Sequence, residues 1–328
     1  MGSSCINLSL SNIWRSYNEF KKGKKPSQEL EIFNYYLEDN LYKLHIELNS
    51  GKYKHGGYKK FIVKDNKRRE ISVANIKDRV VHRLLYECLN ENYDKTFIYD
   101  LWSCRKGKGL LGAIKRTQEF LSKNNNSFVW RADIEKFFDS VNQEILLKII
   151  YRKTKELKAF NLIKEIIRSY NILQTRKEEG VKRGIPIGNL TSQILANIYL
   201  NELDRFVKHD IKSKNYLRYG DDFIIIADNL DELGQIRKRV IDFLNIKLQL
   251  ELNRKNDIIV KTRHGLKFLG FEIFPRGRWL KKRSWNRAKK RLNFDNISSY
   301  SGLVKKCNNF KKIEEFNWRV FEKISEID

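Results

Sequence analysis

Two short apolar stretches flank Tyr219-Gly220-Asp221-Asp222 and leave the chain little choice there but to fold back on itself. Asn215-Tyr216-Leu217-Arg218 before it and Phe223-Ile224-Ile225-Ile226-Ala227 after it are aromatic or β-branched, the composition of strands. Gly-Asp favours a turn between them, so the spacing predicts a β-hairpin. Such a hairpin holds the oxygens of Asp221 and Asp222 at a rigid tip, where a hard cation such as Mg²⁺ can bind. Taken alone, the turn reads equally well as a solvated one.

A second acid changes the balance. Phe128 to Ile134 reads as a strand that places Asp133 at its end, and Ser140-x-x-Gln143 reads as a capping box for a helix carrying Ile145, Leu146, Ile149 and Ile150. Asp133 and Asp221 are far apart in the chain, so a shared site must be made by the fold. Carboxylates brought together this way suit two metal ions, which activate an attacking hydroxyl and neutralise a leaving pyrophosphate. The plainer alternative, Asp133 capping the turn after it, explains neither the second acid pair nor the charge of the chain.

That charge is +26, from 66 Lys and Arg against 40 Asp and Glu in 328 residues. It exceeds what solubility needs and points to a polyphosphate partner, nucleic acid first. No apolar run approaches the ~18 residues of a membrane span, no signal-peptide core opens the chain, and Ile6 stands where myristoylation requires a hydroxyl. Cysteines 5, 88, 104 and 307 have neither zinc-site nor disulfide-framework spacing. A reducing cytoplasm is the expected location.

Residues 1 to 60 read as helices joined by a charged loop. Lys52 to Arg69, with eight Lys or Arg among Tyr53, Tyr58 and Phe61, reads as a basic hairpin. Ile76 to Leu89 is an amphipathic core helix with Asp78 in its first turn, where the helix dipole favours an acid. Ser103 to Gly112 reads as a mobile basic loop without P-loop spacing. Gly184-Ile185-Pro186-Ile187-Gly188 is a breaker-rich turn before a long helix with Leu195, Tyr199, Leu203 and Phe206 on its buried stripe. Leu233 to Leu244 reads as a helix and Leu248 to Leu252 as a strand, giving β-α-β-β-α-β-like alternation around the acids. Residues 276 to 292 hold nine Lys or Arg and no acid, with Trp279 and Trp285 interleaved.

The chain resembles reverse transcriptases. Arg131-Ala132-Asp133-Ile134-Glu135-Lys136-Phe137-Phe138-Asp139-Ser140 looks like their first catalytic motif and Tyr219-Gly220-Asp221-Asp222 like their second. Lys67-Arg68-Arg69-Glu70-Ile71 with Asp78-Arg79-Val80-Val81 looks like the fingers block, Lys267-Phe268-Leu269-Gly270-Phe271 like the primer-grip strands, and Asn253-Arg254-Lys255 like the segment with a lysine near the pyrophosphate. The resemblance implies an α+β right-hand polymerase: a basic helical region over 1–60, fingers over 61–127, palm over 128–149, an insertion over 150–183, palm again over 184–275 and a small helical thumb over 276–328.

It further implies two Mg²⁺ ions, with Mn²⁺ a possible substitute, held by Asp133, Asp221, Asp222 and the carbonyl of Ile134. Lys67, Arg69, Phe138, Ile187, Gly188 and Lys255 would bind the incoming deoxynucleotide, Phe138 crowding a ribose 2′-hydroxyl while Phe137 packs in the core. Tyr219, Gly270, Trp279, Lys281, Lys282, Arg283 and Trp285 would contact template RNA and the RNA/DNA primer-template.

Within the family, Gly184 to Gln193 is most similar to diversity-generating retroelement enzymes, which copy a template RNA into mutated cDNA with a small basic accessory protein oligomer. Gly220 departs from the Met, Val or Ala more usual in that group. The implied host is bacterial, phage or archaeal, and the implied location cytoplasmic. Retron, group II intron and phage-defence reverse transcriptases share the palm motifs, the short carboxyl-terminal region arguing against a full intron protein, and a catalytically idle nucleic-acid-binding scaffold is the alternative of another class.

Overall fold

The computed structural model describes residues 6–64, 68–154, 156–170 and 181–325. Helices α1 (Leu10–Lys21), α2 (Gln28–Tyr35) and α3 (Leu37–Asn49) precede strands β1 (Tyr58–Lys64) and β2 (Arg68–Ala74), then α4 (Ile76–Tyr93) and α5 (Leu110–Lys123). Strand β3 (Phe128–Asp133) is followed by α6 (Phe137–Ser140), α7 (Gln143–Tyr151), α8 (Leu157–Arg168) and α9 (Leu190–Arg205). Next come β4 (Tyr216–Tyr219), β5 (Asp222–Ala227), α10 (Leu230–Lys247), β6 (Ile258–Lys261), β7 (Leu266–Phe268), β8 (Phe271–Phe274) and β9 (Gly277–Leu280). Helices α11 (Lys282–Lys290), α12 (Ile297–Val304) and α13 (Phe310–Ser325) complete an α+β fold whose sheets are all antiparallel.

The chain divides into two compact units, one of residues 1–98, 135–204 and 243–250, the other of 99–134, 205–242 and 251–328. In the first, where a basic hairpin over Lys52 to Arg69 is expected, β1 and β2 pair antiparallel, from Tyr58 opposite Ala74 to Lys64 opposite Arg68. Helix α4 starts at the Asn75 cap and buries the predicted stripe from Ile76 to Leu89. Its first-turn acid is a different matter: Asp78 is fully buried and accepts from the Tyr53 hydroxyl (2.7 Å) and the Gly56 amide (2.9 Å), anchoring the preceding loop. Helix α9 buries nearly every side chain, Leu195, Tyr199 and Leu203 included.

The capping box is not formed. Asn142 caps α7, its Oδ1 accepting from the amides of Glu144 and Ile145, while the Gln143 amide group donates to the carbonyls of Tyr170 and Gly184. Leu248 to Leu252 is not a strand either. Gln249 takes a left-handed φ of 50°, and the amides of Leu248 and Leu250 both donate to the Leu244 carbonyl, so the alternating leucines are buried at the end of α10. The strand lies one step later, at β6.

In the second unit the sheet order is β4-β5-β3-β6. Strand β5 is buried on both faces, which explains its unbroken Phe-Ile-Ile-Ile run. Ile224 and Ile226 join Val129, Phe268 and Phe271 in one core, while Phe223 meets Trp130 edge-on at 5.3 Å on the other face. The β7-β8-β9 sheet and the carboxyl-terminal helices extend that core through Leu280, Trp285 and Phe316. Cys104 and Cys307 are free. Among the described residues no helix is long and apolar enough to cross a membrane.

Candidate active site

Two strand pairings build the site. The β3–β5 ladder sets Asp133 opposite Asp222, and the β4–β5 ladder sets Tyr219 opposite Asp222, leaving Gly220 and Asp221 as the turn. Gly220 has φ 65°, a conformation that glycine adopts without penalty. The result is one cluster in which carboxylate oxygens of Asp133, Asp221 and Asp222 lie within 4.8 Å of one another.

Each acid is held differently. Asp133 is buried; its Oδ2 accepts from Asn256 (2.8 Å) and Asn253 (3.3 Å), and its carbonyl accepts from the Asn253 amide (2.8 Å). Asp222 accepts from Arg131 Nη2 at 3.1 Å, and Nη1 of the same arginine donates to the Lys267 carbonyl at 2.8 Å. Asp221 rides on the turn, whose Gly220 amide donates to Ser103 Oγ (2.8 Å) and whose Gly220 carbonyl accepts from Arg218 Nη1 (2.9 Å).

The electrostatics follow from this crowding. Burial, then repulsion from Asp133 and Asp222, pushes the Asp221 carboxyl up to about 7. Burial also raises Asp222, against the opposing pull of Arg131. Lys281, half-buried nearby, is held below its usual value by burial first and by Arg131 next. Three hard carboxylates that repel one another so strongly fit divalent cations of the Mg²⁺ and Mn²⁺ kind, with Asp133, Asp221 and Asp222 as ligands.

Other predicted residues of this unit surround the cluster unevenly. Ile134 is buried beside Asp133 and bridges to Leu252. Lys255 is exposed on the short turn Arg254–Asn256 that delivers Asn256 to Asp133. Tyr219 is half-buried at the end of β4. Gly270 (φ 84°) turns β7 into β8 and accepts from the Lys281 amide at 3.1 Å. Lys282 and Arg283 are exposed at the start of α11.

The tryptophans depart from expectation. Trp285 is 5% exposed and packs toward Phe316, because α11 has only Trp285 and Ala288 to bury; its ring has no face to offer a base. Trp279 stacks on Phe274 at 4.5 Å and donates to Glu272, so one of its faces is occupied.

The remaining predicted residues lie in the first unit. Phe137 is buried and Phe138 half-buried, as expected of the pair. The Ile187 side chain is half-buried, and its carbonyl accepts from the Ser72 amide (2.9 Å). Asn189 closes the junction, accepting from the Ala74 amide and donating to the Ser72 carbonyl. Gly188 has φ 113°, and a Cβ there would stand 2.6 Å from Ile71 Cγ2. Arg69 is exposed on β2. Lys67 lies outside the described residues.

Spacing alone does not identify Asn253, Asn256, Ser103 and Arg218 as supports of the acids. Arg131 carries a readable signal, since two residues before Asp133 on one strand places it on the same face.

The family pattern described as "Reverse transcriptase (RNA-dependent DNA polymerase)" matches residues 54–273. The putative COX1/OXI3 intron 2 protein of Saccharomyces cerevisiae is 21% identical over 72% of this chain and 34% of its own length. Protein YkfC of Escherichia coli is 24% identical over 65% of each. Group II intron-encoded protein LtrA of Lactococcus lactis is 22% identical over 79% of this chain and 53% of its own. The chain thus spans between a third and two thirds of these relatives. Apo telomerase from Candida tropicalis superposes with a TM-score of 0.50 at 15% identity, covering 89% of this chain and 61% of that one. Telomerase from Candida albicans in complex with a TWJ fragment of telomeric RNA gives 0.51 at 12%, covering 88% and 61%. At such identities the likeness concerns the fold.

Proposed function

The chain belongs to the reverse transcriptase (RNA-dependent DNA polymerase) family, and from that premise we propose that it is an RNA-directed DNA polymerase that extends a primer on a template RNA with deoxynucleoside triphosphates. The observation that carries this reading is the cluster of Asp133, Asp221 and Asp222. Held by Asp133, Asp221 and Asp222, two divalent cations would supply activation of the primer hydroxyl and neutralisation of the leaving pyrophosphate. The chain's own residues do the rest: Asn253 and Asn256 orient Asp133, Arg131 orients Asp222, and the +26 charge favours a polyphosphate partner.

The finer roles extend the family resemblance. Lys67 and Arg69 hold the triphosphate, Lys255 approaches the pyrophosphate, Phe138 excludes the 2′-hydroxyl, and Lys281, Lys282 and Arg283 hold the nucleic-acid backbone. A cytoplasmic location and a small basic accessory oligomer belong to the same reading. Primer extension on an RNA template tests it: activity requires Mg²⁺ or Mn²⁺ and is lost in Asp133→Asn and Asp221→Asn while RNA binding persists. Extension by either variant near the parent rate refutes the two-metal assignment, and an inactive parent that binds RNA favours the idle scaffold.

Error-prone copying of the diversity-generating kind is favoured by Ile187, a half-buried residue whose aliphatic side chain can neither donate nor accept a hydrogen bond. Without such an anchor, right and wrong nucleotides differ less in transition-state placement. Ile187→Gln should lower misincorporation, chiefly opposite template adenines, in sequenced cDNA. Equal error spectra remove Ile187 from the mechanism.

A further inference from the structure

Two of the three acids are fixed by a β-ladder and the third is not. Asp133 and Asp222 are ladder partners, but Asp221 stands in the turn, one residue beyond the last pair. Nothing lies within 4 Å of the position a Gly220 Cβ would take, so packing does not wedge the turn at that point. Two hydrogen bonds grip it instead, one at the Gly220 amide and one at the Gly220 carbonyl.

Both grips come from rigid, buried groups. Arg218 is fully buried in β4, and Ser103 is 5% exposed. Residues 100–102 run beside β4 as a short parallel partner: the Arg218 amide donates to the Asp100 carbonyl and the Trp102 amide to the Arg218 carbonyl, each at 3.0 Å, with Leu101 bridged to Arg218. Asp100 is held in turn by Arg116 of α5, through two bonds of 2.9 and 3.2 Å. The start of the stretch expected to be a mobile loop is therefore anchored at the residues leading into Ser103 and at Ser103 itself.

We infer that Ser103, with Arg218, is a positioning residue that fixes the Gly220–Asp221 turn and thereby sets where the Asp221 carboxylate meets the metal. Its kinetic consequence rests on the polymerase reading above; its effect on metal binding does not. Ser103→Ala removes the acceptor and leaves the Gly220 amide unpaired, so the turn relaxes outward under carboxylate repulsion. Ser103→Thr keeps the hydroxyl, and Ser103→Cys, of similar size but a weak acceptor, falls between and replaces Ser103→Ala if that variant does not fold.

The test uses the full chain and Mn²⁺ alone as probe, by calorimetric titration, beside primer-extension kinetics. The expected result for Ser103→Ala is Mn²⁺ affinity weakened roughly ten-fold, as for other residues that orient metal ligands. The catalytic constant should fall by a similar factor while the KM for deoxynucleotide and the affinity for RNA stay within about two-fold, and Ser103→Thr should restore the parent values. Parent-like Mn²⁺ affinity in Ser103→Ala, or a loss that Ser103→Thr shares, overturns the inference. A parent that binds Mn²⁺ but incorporates no nucleotide refutes the polymerase reading, and the Mn²⁺ titration then decides on Ser103 by itself.

Discussion

Asp133 and Asp222 are paired residues of one antiparallel ladder, so a single register brings two acids to the same end of the sheet. A slip of one residue would send one of them to the opposite face. Charge repulsion at this point is therefore built into the fold, and it has measurable effects.

The first effect is on the stability of the metal-free protein. Asp221 has a pKa of about 7 when folded against an ordinary 3.8, so the folded state binds its proton more tightly than the unfolded chain does. The contribution is fully present below about pH 4 and is lost as pH rises toward 7. Asp221→Asn should therefore stabilise the metal-free protein at pH 8 by on the order of 1–3 kcal/mol, and change little at pH 4. Thermal unfolding at the two pH values checks this, and added Mg²⁺ should stabilise the parent more than the variant.

Gly188 offers a test in the other unit. Its φ of 113° is unsuited to a side chain, and a Cβ would press on Ile71 Cγ2 at 2.6 Å, beside the Ser72–Ile187 bond. Gly188→Ala should cost about 1–3 kcal/mol in urea unfolding. An unchanged midpoint would mean that β2 and the 184–189 segment separate freely.

Phe138 is half-buried where Phe137 is fully so. Phe138→Ala should raise ribonucleotide relative to deoxynucleotide incorporation, by up to about 10²-fold for rejection of a single hydroxyl. Paired extension assays with each nucleotide set decide; an unchanged ratio with activity retained assigns the ring to packing.

For the basic surface, neutralising Lys281, Lys282 and Arg283 together should reduce the dependence of log affinity on log salt by about 0.9 for each duplex phosphate that is no longer neutralised. Trp285→Phe should leave RNA binding unaltered while lowering stability, because that ring is buried. Fluorescence titrations at several salt concentrations separate the two effects.

The acids and their strands are legible in the chain because apolar, β-branched flanks declare a strand whatever lies around it, as at Phe128–Asp133 and Phe223–Ala227. Trp285 misleads because interleaved tryptophans and lysines look alike whether an amphipathic helix buries the rings or displays them. Leu248 and Leu250 alternate as a strand would, yet the left-handed Gln249 between them needs tertiary context to be seen. Ser103 and Asn256 stand far in sequence from the acids they support, and no local pattern links such partners.

The ladder that joins Asp133 to Asp222 also bears on synthesis. Strand β3 leaves the ribosome about 90 residues before β5, which at the usual pace of elongation is a wait of roughly 5–20 s. During that time Val129, Trp130 and Ala132 have a neighbour on neither side, because β6 follows β5 in the chain, and both unpaired edges can recruit a strand from another chain. The intervening α6 to α9 are locally closed and can form meanwhile. The nascent polymer thus carries a buried strand without either of its partners, so slow translation between β3 and β5 should lower the yield and free chaperone capacity should restore it.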